Sequence, residues 1–83
     1  MHVWVRSNWG AGVVNCARHY ASEAAMKSAV CRMLKKRAPG PMATIDVYAK
    51  WGPYSGPDVE SYMGRAGFDG DGDTAKFFPA GTL

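Results

Sequence analysis

Cysteine is scarce in this chain: Cys16 and Cys31 are the only two in 83 residues. One bridge at most can form, which excludes a disulfide-stapled scaffold. A strand cysteine and a helix cysteine seldom meet the geometry of a bridge, so two reduced thiols are expected. Histidine is equally sparse, at His2 and His19. A structural zinc site wants four ligands in paired spacings, whereas Cys16-Ala17-Arg18-His19 is one pair on a predicted strand, its ends on opposite faces. No Ser/His/Asp constellation is readable. The expectation is a protein with no catalytic residues, no metal site and no cofactor. Long apolar runs are also missing, and nothing approaches the roughly 18 residues of a membrane span. No basic segment followed by an apolar run opens the chain, so no cleaved signal, no membrane partner and a cytoplasmic location are expected.

What the chain does contain is typical of one folded domain spanning 1–83. It is 47% hydrophobic and 20% charged, and 12% of its residues are aromatic. That gives a small core large side chains to bury. The net charge of +3 is divided unevenly. Residues 1–50 carry eight Lys/Arg against Glu23 and Asp46, and residues 51–83 carry Arg65 and Lys76 against five acids. This two-signed pattern points either to a charged macromolecular partner or to the two ends facing each other in the fold.

"HVWVRSNW" alternates Val3, Val5, Ser7 and Trp9 against His2, Trp4, Arg6 and Asn8, the period of a half-buried strand. A turn at Gly10-Ala11-Gly12 and a second strand over 13–20 complete a hairpin. That second strand also rules out a dinucleotide fingerprint at the glycines, since a helix is needed there. Ser22 and Glu23 open a helix. Met26, Ala29, Val30, Met33 and Leu34 form its apolar stripe, and Pro39-Gly40-Pro41 ends it. "ATIDVYAKW" is read as a strand with Ala43, Ile45, Val47, Ala49 and Trp51 on one face. Pro57 and Asp58 suit a helix start, and Val59, Tyr62, Met63 and Ala66 have helical spacing up to Gly67. "TAKFF" makes a last short strand. The expected fold is α+β, in the order β-β-α-β-(α)-β. A small antiparallel or mixed sheet of three to four strands carries one main amphipathic helix on one face.

Two charged features and one aromatic loop are candidate partner-binding sites. Asp69, Asp71 and Asp73 alternate with glycines in "FDGDGD". They fill positions 1, 3 and 5 of a calcium loop, but Thr74 and Ala80 stand where it needs glycine and a bidentate glutamate. A solvated Asp-Gly turn accounts for the run, and a weak cation site of another kind is the alternative reading. Lys27, Arg32, Lys35, Lys36 and Arg37, with Arg6 and Arg18 on the hairpin, suggest a phosphate-binding face, with aromatics nearby to stack unpaired bases. The plain alternative is a solvated helix face whose last-turn cations complement the dipole. Tyr54, with Tyr48 and Trp51 beside the Gly/Pro loop, is a candidate contact anchor.

The hairpin, the helix "SEAAMKSAVCRMLKKRA" and the strand "ATIDVYAKW" together resemble, over roughly residues 1–51, the layout of small phage and mobile-element proteins such as anti-CRISPR proteins. The resemblance is one of size and element order, and carries over no functional residues. It implies a non-catalytic inhibitor that occupies a surface of a host protein or nucleoprotein complex. A small nucleic-acid-binding accessory domain, on RNA or DNA, is the alternative reading. A phage structural or assembly component is a third.

Overall fold

A computed structural model describes residues 1–9, 12–52, 56–70 and 72–81, and of 9 and 12–15 the backbone alone. Five antiparallel strands form the main sheet: β1 (His2–Trp9), β2 (Gly12–His19), β3 (Thr44–Tyr48), β6 (Tyr62–Phe68) and β7 (Ala75–Pro79). Their order across the sheet is β2-β1-β3-β6-β7. The helix α1 (Glu23–Arg37) connects β2 to β3. A two-stranded ribbon, β4 (Trp51–Gly52) with β5 (Gly56–Pro57), stands apart from the sheet. The fold is α+β with one main helix on one face of the sheet, as the pattern of the sequence implies. Among the described residues, no helix is long and apolar enough to cross a membrane.

The helix begins where its first-turn chemistry places it. Ser22 takes an extended conformation and its Oγ accepts from the Ala25 N–H at 3.1 Å, which satisfies one of the donors a helix start leaves open. Met26, Val30 and Leu34 are fully buried, one residue per turn along a single line. They pack on Val3 and Val5 of β1, Ile45 and Val47 of β3, and Ala66 of β6. Burying each of these Val, Leu, Ile and Met side chains stabilises the fold by roughly 1.5–3 kcal/mol. Ala38 closes the helix through its N–H to Leu34 O, and Pro39 cannot extend it.

The segment 57–67 departs from its helical spacing. Asp58 does cap a turn, its Oδ1 accepting from the Glu60 N–H at 3.0 Å, but the turn is a single 3-10 turn over Val59–Ser61. From Tyr62 the chain runs as strand β6, paired on both sides. The reason is tertiary. Gly64 has φ +141°, and a Cβ there would lie 2.5 Å from Phe78 O and 2.8 Å from the Phe77 ring. A glycine at this position lets β7 and Phe77 close onto β6. With β6 a strand, the main sheet has five strands rather than three to four.

Register between β3 and β6 slips once. Val47 is opposite Gly64, but Tyr48 is opposite Tyr62, which leaves Met63 as the extra residue of a bulge. A bulge re-aims the side chains on one side of it. Here it brings Tyr62 onto the same face as Tyr48 and Asp46, away from the helix. The β3 face also ends earlier than its alternation suggests. Ala43, Ile45 and Val47 are buried under the helix, whereas Ala49 is exposed and Trp51 starts the ribbon. Trp51 stacks on Trp4 from the opposite face of the sheet, with ring centroids 5.5 Å apart.

Candidate functional sites on the two faces of the sheet

On the helix side, β2 and α1 enclose a basic groove. Arg18 faces this side because it is paired with Val3, whose side chain is in the core. Arg32 and Lys36, one turn apart, share a flank of α1, and Arg37 reaches the same groove from the last turn. Together with Tyr20 and Met33 they line a concavity of about 290 Å³. Among the described residues none of the four cations has an ion-pair partner.

The other cations of the expected basic face lie elsewhere. Lys35 is exposed in the last helical turn and does not line the groove. Lys27 pairs with Glu23 at 3.6 Å and sits 5.5 Å from the centre of the Phe77 ring. Arg6 is paired with Asn15 and Asp46 in the sheet register, on the face away from the helix. Its Nε is enclosed without a hydrogen-bond partner among the described residues.

The acidic run connects β6 and β7. Asp69 N–H donates to Thr74 O at 2.8 Å, and Gly72 N–H donates to Asp69 O at 2.8 Å. Both carboxylate oxygens of Asp69 are engaged, Oδ1 by the Gly70 N–H and Oδ2 by Lys76 Nζ, each at 2.8 Å. Asp73 is exposed in the same loop. Asp71 and Tyr54 lie outside the described residues. The loop therefore has a structural task, to close a hairpin and hold Lys76.

The helix-free face carries a second arrangement, centred on a residue that composition alone does not single out. Asp46, in the middle of β3, is 6% exposed. Its Oδ1 accepts from Tyr62 OH at 2.9 Å and from Arg65 Nε at 2.8 Å, and its Oδ2 accepts from Asn8 Nδ2 at 2.8 Å. A buried carboxylate must be paired and hydrogen-bonded to stay charged. These three donors, from β1 and β6, meet that need. The Tyr62 hydroxyl is pushed up to about 12, chiefly by burial and then by its hydrogen bond to Asp46. The Arg65 guanidinium is raised too, first by its hydrogen bond to Asp46. Aromatic rings extend the face from there. Tyr48 lies 5.2 Å from Tyr62 and 6.1 Å from Trp51, and Trp51 covers Trp4. The signal was present in the sequence: a lone carboxylate inside "ATIDVYAKW" needs a partner, and Arg65 is one of only two cations after residue 51.

The chain matches no protein-family model, no curated protein and no solved structure. Its candidate sites therefore stand on geometry.

His2 and His19 face each other across β1 and β2, with ring centroids 4.5 Å apart. Cys16 is paired with Val5, and Cys31 is on the helix; both thiols are free. Burial pushes the Cys31 thiol up, which makes it a poor nucleophile at neutral pH.

Proposed function

We propose that this chain is a non-catalytic binding domain that holds a nucleic acid in the groove between β2 and α1. One observation carries the reading: Arg18, Arg32, Lys36 and Arg37 converge on a single concavity without an acidic partner among the described residues. The helix dipole accounts for Lys36 and Arg37 in the last turn, but its influence falls off within that turn. It explains neither Arg32 nor Arg18, the latter on another element. Like charges held together repel, and a polyanion relieves that repulsion while releasing its own counterions. Tyr20 at the rim offers a ring on which a base can stack.

The phage-type inhibitor reading is compatible with the same groove. There the polyanion is the nucleic acid of a host nucleoprotein complex, and a protein contact is added to it. The two readings share the groove and differ in the partner.

Fluorescence anisotropy with labelled single-stranded and duplex oligonucleotides tests the groove. Binding is expected at low salt and is expected to fall steeply as salt rises, with Arg18→Glu/Lys36→Glu abolishing it. An absence of binding at about 50 mM salt, where electrostatic binding is strong, rejects the reading.

A further inference from the structure

The helix-free face has a pocket of its own, about 270 Å³, lined by Asp46, Tyr48, Val59, Tyr62 and Arg65. We propose that this pocket takes a single unstacked guanine base of a single-stranded nucleic acid, read by the Arg65 guanidinium and stacked against Tyr48 and Tyr62. The inference rests on the nucleic-acid reading above and names the base that the domain selects.

Four observations lead to it. First, Arg65 is oriented from behind. Its Nε donates to the buried Asp46 carboxylate at 2.8 Å, and the carboxylate is itself held by Asn8 and Tyr62. A guanidinium has five N–H donors in a rigid fork. One goes to Asp46, and the Tyr62 oxygen beside it contributes to holding the charge. Others are left uncommitted among the described residues, on a side chain that is 43% exposed.

Second, the charge inside the pocket decides between an anion and a neutral ring. Arg65 is matched there by Asp46, so the lining carries no net charge and offers a bare phosphate little. A neutral group with two adjacent acceptors suits an oriented fork better. Guanine presents such a pair, N7 and O6, and arginine is its commonest specific partner.

Third, the walls are aromatic. Tyr48 and Tyr62 stand 5.2 Å apart at 51°, so each offers a separate ring surface to a planar guest. Val59, 76% exposed at the rim, adds an apolar edge that a stacked base would cover. Fourth, the volume is below the ordinary range of about 300–1,000 Å³ for ligand pockets, which suits one ring system rather than a longer stretch of strand. Bases of a duplex are stacked and paired and cannot enter, so the occupant belongs to a single strand.

The pocket and the groove lie on opposite layers, so a strand that fills both must pass round an edge of the sheet. The test therefore separates them. Guanosine, adenosine, cytidine and uridine carry no phosphate and probe the pocket without the groove. In NMR titrations of the whole chain, guanosine is expected to shift the Tyr48, Tyr62 and Arg65 Nε signals. It should bind about 5- to 150-fold more tightly than the other nucleosides, as one bidentate arginine contact discriminates. Arg65→Lys keeps the charge beside Asp46 but replaces the rigid fork by a single ammonium, so it should reduce that preference.

Equal shifts from all four nucleosides, no shifts at millimolar guanosine, or a preference that survives undiminished in Arg65→Lys would each overturn the proposal. If Arg65→Lys fails to fold, the wild-type comparison of the four nucleosides still decides. An oligouridine strand that binds at low salt while guanosine does not would leave the groove standing and sink the pocket. Guanosine selectivity without any strand binding would uphold base recognition and reject the groove.

Discussion

Tyr62 donates its phenolic hydrogen to the Asp46 carboxylate across the β3–β6 pair, at 2.9 Å. It can do so because the bulge at Met63 turns it to the helix-free face. The bond needs a protonated phenol, and this gives the fold a pH dependence at its alkaline end. Tyr62 titrates at about 12 in the folded protein against an ordinary 10. The proton is thus held more tightly by the folded state. The stabilisation is fully present below pH 10 and is lost as the pH rises through 12. Ultraviolet titration should find one tyrosine ionising about two units late, and Asp46→Asn should bring it back towards the normal range. Ordinary titration of all the tyrosines would contradict the bond.

Removing the carboxylate altogether leaves three donors facing an empty site. Asp46→Ala should cost about 2 kcal/mol, below the roughly 3–5 kcal/mol of a fully buried pair, because the exposed part of Arg65 can turn to water. Denaturant unfolding measures this directly. A change within about 0.5 kcal/mol, the range of an ordinary surface substitution, would mean that the network is not formed.

Gly64→Ala should destabilise by about 1–3 kcal/mol, since it combines a positive φ with a clash against the β7 backbone. Gly40 is the control: no atom would lie within 4 Å of a Cβ there, and Gly40→Ala should be close to neutral. Equal melting temperatures for the two variants would show that β7 does not approach Gly64 as described.

The groove makes a numerical prediction. Single strands give a slope of about −0.7 in log K against log salt for each phosphate neutralised. With four cations engaged, the slope should be near −3, and Arg18→Ala should flatten it by about 0.7. A slope unaffected by Arg18→Ala would exclude that side chain from the contact.

The acidic loop should matter little to stability. Asp69 and Lys76 are each about half exposed, and exposed pairs contribute about 0–1 kcal/mol. Asp69→Asn should therefore shift the unfolding midpoint only slightly. A large loss would mean that the loop hydrogen bonds, and not the ion pair alone, depend on the carboxylate.

Local chemistry was legible in the residues themselves. The period of Met26, Val30 and Leu34, the Ser22 cap, the alternation of Val3, Val5 and Ser7 and the Asp-Gly turn all depend on near neighbours in the chain. For such features, spacing and propensity are the governing physics. The strand at Tyr62–Phe68 was not legible, because Val59, Tyr62, Met63 and Ala66 satisfy a helical period equally well. What selects the strand is Gly64 beneath Phe77 and the unpaired edge of β3, both contacts with distant residues. Charge was read in the same divided way. The residue order alone places cations along the helix and acids in the later turn. Folding is what brings Arg18 to Arg32, Lys36 and Arg37, leaves Arg6 and Lys27 out, and sets Asp46 against Arg65. Such pairings follow from strand register and from one bulge, and both are settled by packing across the sheet rather than along the chain.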